Sequence, residues 1–154
     1  MKSIRMQQNY RRSPKELLEL LASEKLWKEK DFEFTREATS DSGWDIRVSC
    51  PVDKDQVPSQ FAQFVSPNVR VMQEASVPVA INSGGVVKYR AYAPGVPATV
   101  EADITVEGEG ESSTVKVDAT LEIKLPFVGP ALESKAEPTA RKLLQRQLDK
   151  LAKF

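Results

Sequence analysis

Two stretches in the second half of the chain constrain its fold more than any other feature. Over residues 98–106, Ala98, Val100, Ala102, Ile104 and Val106 alternate with Thr99, Glu101, Asp103 and Thr105. Over residues 115–125, Val115, Val117, Ala119, Leu121, Ile123 and Leu125 alternate with Lys116, Asp118, Thr120, Glu122 and Lys124. A period of two puts every apolar side chain on one face, so each stretch reads as a half-buried strand. Turn residues Gly108–Ser112 join the two as a hairpin. The period then lengthens. Leu132, Ala136, Ala140, Leu143, Leu144, Leu148 and Leu151 recur at helical spacing. A sheet with one apolar face is thus followed by a helix with one apolar stripe, and each needs the other as a cover.

The upstream sequence adds to that sheet. Ser3–Tyr10 reads as a first strand with Ile4 and Met6 on one face. Ser13-Pro14-Lys15-Glu16 combines an N-cap serine, a proline suited to the first turn and a glutamate at capping-box spacing. Leu17, Leu18, Leu20 and Leu21 give that helix its apolar face, and Ser23 starts a second short helix carrying Leu26 and Trp27. Phe32 and Phe34 begin a hairpin that turns at Thr39–Gly43 and returns with Trp44, Ile46, Val48 and Cys50 on one face. After Pro51–Ser66, strands resume at Val69–Ala75 and Val86–Tyr92. Pro94-Gly95 suits the centre of a type II turn.

The segment between sheet and final helix reads Lys124-Leu125-Pro126-Phe127-Val128-Gly129-Pro130. Pro126 is expected to end strand pairing, Gly129 to permit the turn and Pro130 to occupy the first helical turn. Phe127 and Val128 are expected to anchor the helix start against the sheet edge. Pro138 lies within the helix, where a proline removes one hydrogen bond, so a kink or break is expected near Glu137.

Composition narrows the function. The 154 residues suit one domain spanning 1–154, which would bury roughly 70% of the surface its unfolded chain exposes. Lys+Arg and Asp+Glu both number 22, so the electrostatic footprint of a nucleic-acid binder is missing. The chain has no histidine and one cysteine, Cys50. Histidine-based dyads, histidine metal sites, thiolate zinc clusters and internal disulfides are excluded together. No cofactor or metal is expected. The N-terminal residues lack the apolar core of a signal peptide, and no run approaches the roughly 20 apolar residues of a membrane span. A cytoplasmic protein is the expectation.

The element order is strand, two short helices, six strands and a long helix. It resembles the helix-grip fold of START-like domains, which include birch-pollen-allergen-like and polyketide-cyclase-like proteins. More closely, the chain resembles an uncharacterised family of bacterial START-like domains. The resemblance rests on Val57-Pro58-Ser59-Gln60-Phe61 with Phe64-Val65, on Val71-Met72-Gln73-Glu74, on Pro94-Gly95-Val96-Pro97 followed by Val100, and on Ile123–Gly129. Pro138 departs from the smooth terminal helix of such proteins. The resemblance implies an α+β fold. Its curved seven-stranded antiparallel sheet would carry the C-terminal helix on the concave face, with a hydrophobic-ligand cavity between them.

Candidate lining residues are Trp44, Ile46, Val71, Gln73, Tyr89, Ala91, Val100, Ile104, Val117 and Leu121, faced by Leu144 and Leu148. A mostly apolar wall with a few polar groups suits a hydrophobic small molecule or lipid. Filling a core is the commoner role of such residues. Gln73 needs a hydrogen-bond partner if buried, which a ligand oxygen, Tyr89 or a backbone group would supply. Phe61, Phe64 and Val65 form a candidate lid. No catalytic residue is assigned, so binding is the first reading. A cyclase- or hydrolase-like enzyme using the same cavity, or an interaction domain with a filled core, are the alternatives.

Overall fold

The computed structural model describes residues 1–52, 59, 62, 66 and 68–154. The candidate lid, Phe61, Phe64 and Val65, lies outside them. Chain order is β1 (Lys2–Tyr10), α1 (Pro14–Leu21), α2 (Glu24–Trp27), β2 (Glu33–Ala38), β3 (Trp44–Pro51), β4 (Arg70–Val77), β5 (Gly85–Tyr92), β6 (Ala98–Glu109), β7 (Ser112–Ile123) and α3 (Gly129–Lys153). The seven strands form one antiparallel sheet in the order β1-β7-β6-β5-β4-β3-β2. Residues directly opposite each other in such a ladder share a face. One row therefore runs Phe34, Val48, Gln73, Ala91, Val100, Leu121. The next runs Arg36, Ile46, Ala75, Tyr89, Ala102, Ala119, Ile4. These rows make up the inner face.

Local chemistry sets the element ends. The Ser13 hydroxyl accepts from the Glu16 N–H at 3.1 Å and caps α1. Gly95 sits at φ 83°, and the Val96 N–H donates to the Ala93 carbonyl at 3.0 Å, which closes the turn expected from Pro94-Gly95. α1 and α2 bring Leu17, Leu18, Leu26 and Trp27 into the core, each at most 2% exposed.

α3 carries the stripe expected of it: Ala136, Ala140, Leu144, Leu148 and Leu151 are buried, while Leu132 and Leu143 pack at its margin. It lies chiefly over β1 and β7, with α1 and α2 touching its flank. Tyr10 ties it down, its hydroxyl donating to the Leu148 carbonyl at 2.7 Å. Glu29, in the connection after α2, ion-pairs with both Arg146 and Lys150.

Two expectations about the start of α3 are corrected. Phe127 and Val128 do not anchor the helix: both are exposed, Phe127 completely. Phe127 makes the reversal itself, at φ 67°. Gly129 serves close approach instead, because a Cβ there would lie 2.7 Å from the Ile123 carbonyl oxygen. Of the kink or break expected near Glu137, the break is absent, since α3 runs unbroken through Pro138. Pro138 and Ser134 both face solvent, so water can satisfy the Ser134 carbonyl that the proline leaves without a donor.

Both sites give stability predictions. Pro138→Ala restores a helical donor at an exposed position and should raise the unfolding free energy by about 1–3 kcal/mol in urea titration. An unchanged or lower midpoint contradicts this account of the helix. Phe127→Asn places a residue that tolerates the left-handed region where no packing is lost. Thermal unfolding should show a gain of up to about 1 kcal/mol.

Candidate functional site

A 25-residue helix is about 37 Å long and about 10 Å wide, enough to cover roughly two strands spaced about 4.8 Å apart. α3 spends that width on β1 and β7. α1 packs against β6, and α2 brings Trp27 onto β5. The Trp27 indole stacks on the Tyr89 ring at 6.2 Å between centroids and 12° between planes. Its N–H donates to the Leu21 carbonyl at 2.8 Å, which fixes the ring. Around this pair the sheet presents small side chains, Ala75, Ala91 and Ala102.

Gln73 and Tyr89 are the polar pair of this region. Both are buried, at 3% and 4% exposure. The Tyr89 hydroxyl donates to Gln73 Oε1 at 2.6 Å. Among the described residues, the buried side-chain polar atom left without a partner is Gln147 Oε1 on α3. Burial, with a smaller contribution from nearby Cys50, pushes the Tyr89 phenol well above its ordinary pKa. It remains a neutral hydroxyl. Cys50 is half-buried, and its thiol is also pushed up, first by burial and then by Glu29.

The other candidates fall on the same face. Ile46, Ala91, Val100, Ile104, Val117 and Leu121 are buried, as are Leu144 and Leu148 on α3. Trp44 and Val71 are half-buried near the rim. The rows bring Gln73, Tyr89, Ala91 and Ile46 into one neighbourhood. Val117 and Leu121 lie on the half of the sheet that α3 covers.

Three residues escaped the sequence reading. Trp27 was visible only as part of a short amphipathic helix, and nothing local tells which strand a helix of four residues will meet. Arg36 occupies an inner-face position, its guanidinium 4.1 Å from the Trp44 ring centroid and donating to the Ala22 carbonyl at 3.0 Å. Its alternation with Phe34 was a weak signal. Glu133 is 3% exposed on an otherwise apolar helix face. Its carboxylate meets the Met1 amino group at 2.6 Å and accepts from the Ile123 N–H at 2.9 Å. The amino group first, then that N–H, hold its pKa below the usual carboxylate range.

A concavity of about 530 Å³ lies on the opposite face of the sheet. Its side chains are largely charged and matched across strands. Lys88 pairs with Asp103 at 2.8 Å, Arg90 with Glu101 at 3.8 Å, and the Ser76 hydroxyl donates to Asp45 at 2.9 Å. Lined by exposed ion pairs, it reads as the solvated side of the sheet rather than a site. Among the described residues, no group of three His, Cys, Asp or Glu side chains could hold a metal ion, and no helix is long and apolar enough to cross a membrane.

Because the Glu133 pKa is depressed on folding, its contribution is present above the unfolded value near 4.3 and disappears as pH falls through the folded value. Glu133→Gln should therefore lower stability at pH 7 by on the order of 1 kcal/mol. That deficit should shrink toward pH 3 in paired denaturation series. A deficit independent of pH would contradict the ionised role.

No curated protein matches the chain. Solved structures do. TTHA0849 from Thermus thermophilus aligns with a TM-score of 0.62 at 17% identity, over 99% of this chain and 95% of that one. Norcoclaurine synthase from Thalictrum flavum aligns at 0.58 and 18% identity, over 99% and 84%. A START superfamily protein from Mycobacterium smegmatis aligns at 0.56 and 14%, over 97% and 94%. These likenesses establish the helix-grip, START-like fold. A family profile described as "Protein of unknown function (DUF2505)" matches residues 5–154, and the chain belongs to that family.

Proposed function

We propose that the chain, as one domain over residues 1–154, binds a hydrophobic small molecule or lipid between its sheet and its covering helices. The observation that carries this reading is the division of the inner face. α3 lies over β1 and β7, while β3–β5 present Ala75, Ala91 and Ala102 around the buried Gln73–Tyr89 pair. Small side chains with a few convergent polar groups are what a ligand chamber requires. The reading places the protein in the cytoplasm, in keeping with its single unpaired cysteine.

The enzyme alternative has less support. Norcoclaurine synthase shares the fold at 18% identity, which carries no residue roles across. Among the described residues, Glu133 is the buried carboxylate and it is engaged by backbone and amino group. Tyr89 is held neutral. Among the described residues, no pair of acid and base faces the interior for proton transfer. The interaction-domain alternative draws on exposed Phe127 and Val128. Val79, Ile81 and Val86 are exposed as well, each by less than half.

Ala91→Phe separates a chamber from a filled core. A chamber accepts the ring, so stability should stay within about 1 kcal/mol of wild type while binding of a neutral fluorescent dye is lost. A filled core would be overpacked and lose about 1–3 kcal/mol, and the wild type would bind no dye. Native mass spectrometry of protein from its own host should then reveal the bound molecule.

A further inference from the structure

We infer that residues 28–32, the connection from α2 to β2, form a strap between α3 and the start of β4, and that the Glu29 ion pairs with α3 are a salt-labile clasp whose release exposes Cys50. The inference goes beyond the binding reading above and does not depend on it.

Polar contacts fasten the strap at both margins. On the α3 side the Glu29 carboxylate ion-pairs with Arg146 and Lys150. The Lys150 ammonium also donates to the Lys28 carbonyl at 3.1 Å. On the sheet side Arg70, the first residue of β4, donates to the Asp31 carbonyl at 2.7 Å. The same guanidinium donates to the Ser49 hydroxyl at 3.1 Å and the Ser49 carbonyl at 3.0 Å. Between these fastenings the strap offers little apolar surface. Lys28, Lys30 and Asp31 are exposed, and Phe32 is half-buried. Its backbone reverses at Asp31, at φ 56°, a left-handed conformation that side chains disfavour.

The clasp on α3 is the margin that releases. It joins residues 117 and 121 positions apart through long, flexible side chains. Such pairs weaken as the Debye length falls from about 10 Å at 0.1 M salt to about 3 Å at 1 M. Closure also leaves one polar group unmet. Gln147 lies three residues before Lys150, on the same flank of α3. Its Oε1 is buried without a partner among the described residues. Water reaching that flank on release would supply the missing donor. Cys50 sits inside this frame. It follows Ser49 on β3, is half-buried, and lies in the field of Glu29, Arg70, Arg146 and Lys150, the residues of both fastenings. As the one cysteine of the chain, it reports on the strap without any added label.

Reaction of Cys50 with dithiodipyridine, an uncharged disulfide, tests this in the full chain. Rates are compared at equal thiolate fraction, taken from the pH profile of each variant, because removing Glu29 also changes the thiol's pKa. The wild-type rate should rise about five- to tenfold between about 0.05 M and 1 M sodium chloride. Glu29→Gln should react that fast at low salt and gain little more. Glu29→Lys combined with Arg146→Glu and Lys150→Glu re-forms the clasp with its charges reversed, and should restore the slow rate and its salt dependence. Urea separates local opening from unfolding: up to about 1 M, the wild-type rate should barely change. A wild-type rate independent of salt, or a urea dependence as steep as that of global unfolding, overturns the strap. So does a folded Glu29→Gln protein that reacts like wild type, or a folded charge-reversed protein that reacts like Glu29→Gln. Should the variants fail to fold, the wild-type salt and urea series decide.

Discussion

One helix cannot cover seven strands. α3 is wide enough for about two of them, and it lies over β1 and β7. The arrangement of the remaining inner face follows from that shortfall. Part of it is closed by α1 and α2, whose leucines and Trp27 are among the most buried side chains in the chain. Gln73 and Tyr89 lie on β4 and β5, outside the pair of strands that α3 covers.

α3 is held by its apolar stripe and by polar contacts that add direction. A stripe of alanines and leucines can slide along a sheet with little change in buried area. Glu133 to the Ile123 N–H, Tyr10 to the Leu148 carbonyl, and Glu29 to Arg146 and Lys150 fix both ends of the helix. Directional bonds set the crossing, and the crossing sets which strands stay outside the helix's reach. Gly129 contributes at the same end by letting the first turn approach the Ile123 carbonyl.

Much of the architecture was legible. The alternation through Ala98–Val106 and Val115–Ile123 specified two strands and their inner faces, and the rows of the sheet pair those residues as the alternation requires, while Leu125 falls beyond the end of β7. Ser13 and Pro94-Gly95 announced a cap and a turn that form as expected. The reading failed at the join. Phe127 looked like an anchor because apolar side chains usually pack, yet the φ of 67° at that residue turns it to solvent. Pro138 looked like a break because a proline costs a helix one bond. That cost is small where the freed carbonyl faces water. Glu133 was hidden, since a charged residue at a helix position gives no sign that a strand N–H and an amino group will converge on it.

The amino-acid sequence by itself determined the strands, their inward faces, the terminal helix and its stripe, because periodicity and turn chemistry act over a few residues. It also ruled out histidine chemistry outright. Only the tertiary structure decided that Trp27 covers Tyr89 and that the Tyr89 hydroxyl donates to the carbonyl of Gln73. Those facts depend on which strands become neighbours and on where a helix from the far end of the chain comes to rest. They join residues 16 and more positions apart, and no local pattern encodes such a meeting.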